Sequence, residues 1–80
     1  MTPGTLIKDY REKRKMTQKQ LSEALNYDNP QFLSLLENGH SKLPLYSANS
    51  FCAVLGINRD TMKKALVNEY VKNLEAAGLK

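Results

Sequence analysis

Apolar side chains recur at intervals of three and four along most of this chain, and nowhere do they alternate over a sustained stretch. Leu6, Ile7 and Tyr10 share one face at helical spacing. They predict a first helix that starts near Thr2-Pro3 or Thr5 and ends near Lys15. Thr17 followed three residues later by Gln20 makes a capping box, in which each side chain satisfies the other residue's unpaired backbone N–H. A second helix therefore begins there, runs two turns or so, and has Leu21, Ala24 and Leu25 as its expected buried face. Asn26 to Pro30 predicts a tight turn. Asn26 can adopt the left-handed backbone that a helix end often needs. Asp28 or Asn29 caps the third helix, and Pro30 fits its first position, where a missing N–H costs nothing. Phe32, Leu33 and Leu36 form the inner stripe of that helix, and Asn38-Gly39 ends it. A fourth helix runs from near Pro44 to Gly56 and buries Ala48, Phe51, Cys52 and Leu55. Asn58 caps a fifth, over about 59–77, with Met62, Leu66, Tyr70 and Leu74 four residues apart and Gly78 closing it.

Twelve leucines against five Val and Ile together favour helix over strand. The expectation is a compact all-α, five-helix domain over 1–80, with no linker, repeat or low-complexity tract. The pair of short helices over about 17–38 is a helix-turn-helix candidate. A chain of this size buries only about 60% of its unfolded surface, which leaves no room for a large catalytic core. With 41% hydrophobic and 25% charged residues it has the composition of a folded protein.

The lone Cys52 excludes an internal disulfide, and a single histidine beside it cannot complete a zinc site. Cys52, His40 and a carboxylate could form a nucleophilic site in principle. Nothing in their spacing suggests one, so Cys52 reads as a small buried hydrophobe and His40 as an exposed loop residue. No catalytic residue, cofactor or metal is expected. The longest apolar run, Phe51 to Ile57, falls far short of the ~20 residues of a membrane span. The Met-Thr-Pro-Gly start lacks a signal-like apolar region, so the expected location is the cytoplasm, with no membrane partner.

Charge narrows the field. The net charge is +4, from 12 Lys and Arg against 8 Asp and Glu. Residues 8–20 carry Lys8, Arg11, Lys13, Arg14, Lys15 and Lys19 against Asp9 and Glu12, while the rest of the chain is balanced. Such a patch attracts phosphate or an anionic membrane surface, or is simply a solvated helix face.

Taken together, Thr17-Gln18-Lys19-Gln20-Leu21-Ser22-Glu23-Ala24-Leu25, Leu36-Glu37-Asn38-Gly39, Ser41 to Leu45 and Ala53-Val54-Leu55-Gly56-Ile57 resemble the Cro/phage-repressor (XRE) helix-turn-helix family over about residues 5–70. The turn after the second helix is one residue longer than in most members, and Asn26 stands where glycine is usual. The resemblance implies a lambda-repressor-like DNA-binding domain whose second helix braces the DNA backbone and whose third enters the major groove. On that basis Asn29, Gln31, Ser34 and Leu35 face base edges. Asn and Gln amides suit adenine, and a leucine suits a thymine methyl. Thr17, Gln18, Asn38, Ser41 and Lys42 match phosphate-contacting positions. Arg11 and Glu37 match a structural salt bridge between the first helix and the end of the third. The other basic residues are expected to supply a long-range field.

The implied function is a transcriptional regulator, a Cro-like repressor that occludes a palindromic double-stranded DNA operator as a homodimer. The apolar surplus of Leu74, Ala77 and Leu79 beyond the core makes the fifth helix the expected dimer contact, unless the helix folds back on its own core. The alternative is an antitoxin of the same fold, which binds a toxin protein and represses its own operon.

Overall fold

Start signals in the sequence coincide with helix starts in the structure, a computed structural model that describes residues 1–79. The elements are α1 (Pro3–Lys13), α2 (Gln18–Ala24), α3 (Gln31–Glu37), α4 (Leu45–Leu55) and α5 (Arg59–Ala76). Thr2 accepts a hydrogen bond from the Thr5 N–H, and Pro3 opens α1. At α2 the Gln20 N–H donates to Thr17 Oγ1 at 3.0 Å, and the Thr17 N–H donates to Gln20 Oε1 at 2.8 Å. Asn29 Oδ1 accepts from the Gln31 N–H at 2.9 Å, so Pro30 precedes the first residue of α3 instead of occupying it. Asn58 Oδ1 takes the Asp60 N–H at 2.7 Å.

All five helices stop in the same way. A residue with left-handed backbone follows each: Lys15 (φ 57°), Asn26 (φ 63°), Gly39 (φ 80°), Gly56 (φ 69°) and Gly78 (φ 91°). The next N–H then reaches back five residues to a carbonyl near the helix end. These bonds run from Met16 to Arg11, Tyr27 to Ser22, His40 to Leu35, Ile57 to Cys52 and Leu79 to Leu74, at 2.8–3.1 Å. Asn26 meets the requirement expected of it. Lys15 meets the same requirement with a side chain that gives no hint of it in the sequence.

The core joins Leu6 and Ile7 of α1, Leu21 of α2, Leu33 and Leu36 of α3, Phe51 and Leu55 of α4, and Met62 and Ala65 of α5. α1 packs against α3, α4 and α5, and α2 packs against α3. At Gly4 the backbone of α1 lies so close to the end of α3 that an added Cβ would overlap the Leu36 carbonyl.

Several faces differ from their expected composition. Ala24 is exposed and Ser22 is fully buried, so the inner face of α2 is Leu21, Ser22 and the half-buried Leu25. The helix is rotated toward its smallest polar residue, a turn that the apolar pattern alone cannot register. Phe32 and Ala48 are only half-buried. In α5, Leu66 and Leu74 are half-buried and Tyr70 is 65% exposed, because only the first half of this helix lies on the core. Burial pushes the Cys52 thiol above its ordinary pKa, against a smaller opposing pull from the Arg59 charge. No helix among the described residues is long and apolar enough to cross a membrane.

Candidate nucleic-acid interface

α3 has two unlike sides. Inward, Leu33 and Leu36 are in the core and Glu37 is buried. The Glu37 carboxylate receives both arms of a fork from Arg11, Nε to Oε2 at 2.8 Å and Nη2 to Oε1 at 3.0 Å. The remaining guanidinium nitrogen, Nη1, donates to the Met16 carbonyl at 2.7 Å. Only 11% of the Arg11 side chain and 1% of the Glu37 side chain is exposed. The hydrogen bond to Glu37 raises the Arg11 pKa above its ordinary value, in opposition to desolvation, so Arg11 stays charged. Two ions in so dry a place persist only because their hydrogen-bonding capacity is met.

Gln18 completes this network. Its Nε2 donates to Glu37 Oε1 at 3.1 Å, which ties the first turn of α2 to the last turn of α3. The side chain that the resemblance assigns to phosphate is therefore engaged within the domain, with its amide oxygen left as an acceptor. Beside it, the Thr17 hydroxyl oxygen already accepts from Gln20, and its O–H remains to donate.

Across the turn, the Tyr27 and Phe32 rings meet at 5.3 Å between centroids and brace the start of α3. Outward from α3, Gln31, Leu35 and Asn38 are exposed and Ser34 is half-buried. Asn29 is exposed as well, its Oδ1 occupied by the Gln31 N–H and its amide nitrogen unused by that bond. Asn38 Nδ2 lies 3.5 Å from Ser34 Oγ, a weak contact. Beyond Gly39 the His40 and Ser41 N–H groups both donate to the Leu35 carbonyl. These bonds fold the loop against the end of α3, with Ser41 half-buried and Lys42 exposed. The helix-turn-helix thus groups Asn29, Gln31, Ser34, Leu35 and Asn38 on α3 and its flanks. Thr17 and Gln18 stand at the start of α2, and Ser41 and Lys42 in the following loop.

The basic stretch divides on inspection. Lys13 pairs with Asp9 at 3.1 Å on an exposed face and lies 5.6 Å from the Tyr10 ring centre. Arg14 was expected to contribute only to the field. Instead its Nε donates to the Leu55 carbonyl, and its guanidinium lies over Gly56, where it closes the C-terminal end of α4. A cation suits the negative end of a helix dipole. Its partner is 41 residues away, and no local sequence signal announces it. Lys8, Lys15 and Lys19 are exposed and make no ion pair among the described residues. Those residues also contain no group of three or more His, Cys, Asp or Glu able to hold a metal ion.

A model of the helix-turn-helix family matches residues 7–61, from within α1 to the first turn of α5. No curated protein and no solved structure matches the chain. The match covers more than half of the sequence and takes in both short helices, their turn and the helices that support them. The chain belongs to the Cro/phage-repressor (XRE) type of helix-turn-helix family and is a DNA-binding transcriptional regulator.

Proposed function

We propose that this protein is a sequence-specific, Cro-like repressor that binds a palindromic operator as a homodimer. The observation that carries this reading is the division of α3. Its inner side is fixed by the core and by the Arg11–Glu37–Gln18 network, while Gln31, Ser34 and Leu35 stand outward. A reading surface needs that combination, since base-edge hydrogen bonds discriminate only when the backbone presenting them is fixed. Asn29 and Gln31 supply amides for adenine, and Leu35, 38% exposed, supplies an apolar contact for a thymine methyl. Thr17, Gln18, Asn38, Ser41 and Lys42 hold the phosphates on either side, Gln18 through its backbone N–H. Bound protein represses by occluding a promoter.

The surface left uncovered supports dimerisation. Leu45 and Tyr46 at the start of α4, with Val67, Tyr70 and Val71 on α5, are exposed apolar side chains, and Tyr46 is 88% exposed. Leu45, Val67 and Tyr70 line one groove, and a two-fold axis can set that groove against its own copy. Two copies then meet half-sites ~34–36 Å apart. An antitoxin would use the same apolar surface for its toxin.

Selection of bound duplexes from random DNA tests the reading. A two-fold symmetric consensus is expected. Gln31→Ala should relax preference at one position, at a cost of ~1–3 kcal/mol for the preferred base. Lys42→Ala should weaken all duplexes about equally. An unaltered base preference in Gln31→Ala excludes this placement of α3. A protein that stays monomeric both in solution and on the selected duplex excludes the homodimer and leaves the antitoxin reading.

A further inference from the structure

The sequence contains seven asparagines, and Asn38 alone precedes a glycine. In an Asn-Gly pair the following backbone nitrogen is unhindered by a side chain and can attack the asparagine amide. We propose that Asn38-Gly39 is a self-modification site, whose deamidation loosens the protein from DNA irreversibly. The inference rests on the reading of Asn38 as a phosphate contact.

The chemistry needs only water. The Gly39 nitrogen gives up its proton to solvent and attacks Cγ of Asn38. A new N–Cγ bond forms, the Cγ–Nδ2 bond breaks, and Nδ2 takes up a proton and leaves as ammonia. Water then opens the succinimide at either carbonyl. Cleavage of the N–Cγ bond leaves aspartate. Cleavage of the original peptide bond leaves isoaspartate, with the main chain rerouted through the former side chain. No oxidation or reduction is involved.

The fold both exposes and restrains this site. Asn38 is exposed, and its Nδ2 is held only by the 3.5 Å contact with Ser34 Oγ. Against reaction stand two features of the helix end. The Gly39 N–H donates to the Leu36 carbonyl at 3.2 Å, which opposes loss of its proton. The Asn38 ψ of 3° must also rotate well away before the ring can close. The rate is therefore set by opening of the last turn of α3, a short helix whose ends open more easily than its core. DNA held by Asn38, Ser41 and Lys42 keeps that turn closed.

Both products damage the same face. Aspartate places a negative charge at the negative end of α3 and against phosphate. Isoaspartate also lengthens the backbone at the turn, which misplaces the Gly39 and His40 N–H groups that hold Leu36 and Leu35. The loop that carries Ser41 and Lys42 then loses its anchor.

The test is an incubation of the full chain at mildly alkaline pH, alone and with excess random-sequence duplex at low salt. Peptide mass analysis and duplex affinity are followed over time. Aspartate and isoaspartate should accumulate at position 38 before any change at Asn58, and more slowly with duplex present. Affinity should fall about tenfold as they do. Fresh Asn38→Asp should bind about as weakly as the aged protein, and Asn38→Gln, whatever its starting affinity, should show no decline over the incubation because its longer side chain cyclises far more slowly. Retention of the Asn38 amide for as long as that of Asn58 overturns the chemistry and leaves the phosphate-facing reading intact. Modification with unchanged duplex affinity, or Asn38→Asp binding as tightly as wild type, overturns the placement of Asn38 at the phosphates. In either case the base-reading role of Gln31 stands or falls on its own selection experiment.

Discussion

α3, as short as α2, and α5, the longest helix, are opposite ways of using a helix. α3 has seven residues and buries Leu33, Leu36 and Glu37, whereas α5 has eighteen and buries only Met62 and Ala65. A seven-residue helix has almost no stability of its own in water. It persists because one carboxylate, two leucines and the close approach of Gly4 hold its last turn from three sides. α5 has length, a capped start and a closed end, yet its second half rests on little. Position in this protein is set by what a helix is fastened to and hardly at all by how long it is.

Removal of the fastening should give the largest effect. Arg11→Met leaves Glu37 in a dry site without its cation, with Gln18 as its remaining side-chain partner. Such a break typically costs ~3–5 kcal/mol, a fall in Tm on the order of 15 °C in a domain of this size. Lys13→Ala, which removes a pair exposed to solvent, should move Tm by about a degree or less. Thermal melts in which Arg11→Met and Glu37→Gln both match wild type would falsify the claim that this pair holds α3.

Gly4→Ala comes next. Alanine is favoured over glycine within a helix by about 1 kcal/mol. Here the added methyl meets a backbone carbonyl, which cannot swing aside as a side chain can. Overpacking of this kind costs ~1–3 kcal/mol, so a net loss is expected and the end of α3 must shift. Denaturant unfolding measures it, and a gain in stability would mean that the two helices are not in close contact.

A smaller change of opposite sign is expected at Lys15. A left-handed backbone costs an ordinary residue roughly 1–2 kcal/mol, while glycine adds about 0.5–1 kcal/mol of chain entropy to be lost. Lys15→Gly should therefore stabilise by about 0.5–1 kcal/mol, and Asn26→Gly by less, because asparagine already tolerates this conformation. Equal melts for Lys15→Gly and wild type would show that the turn relaxes without strain.

The smallest effect on folding should come from the far end of α5. A chain ending at Tyr70 removes mostly exposed residues and should lose only about 0.5 kcal/mol. Under the dimer reading it removes Val71 from the contact and keeps Leu45, Tyr46, Val67 and Tyr70, so cooperative binding to a symmetric duplex should weaken without being lost. Binding as tight and cooperative as that of the intact chain moves the dimer contact away from residues 71–80.

Local chemistry made most of this fold legible. Thr17 with Gln20, Asn29, Asn58, Asn26 and three glycines announce starts and stops within a few residues of where they act. The spacing of Leu6, Ile7, Leu21, Leu33, Leu36, Phe51, Cys52, Leu55 and Met62 identifies most of the core. What stayed hidden is what distance or context decides. The bond from Arg14 to the Leu55 carbonyl joins residues that no local pattern relates. The left-handed Lys15 is imposed by the turn and not by lysine. The rotation of α2 that buries Ser22 and exposes Ala24 depends on a neighbour's shape. In the candidate interface, the outward positions on α3 follow from its inner stripe. The tie from Gln18 to Glu37 appears only once both helices are in place.

The shared way in which the five helices end bears on time. Four of these stops, at Asn26, Gly39, Gly56 and Gly78, are encoded within about six residues, so the place where those helices end is set before any distant contact forms. Chain search is then confined to docking a few preset segments. Folding dominated by such near-neighbour contacts runs in microseconds to milliseconds. Substitutions at Lys15 and Asn26 would act on the early, local events, and those at Gly4 and Arg11 on the docking of α1 with α3. A folding-rate series across these four positions would reveal the order in which the reading helix acquires its shape and then its place.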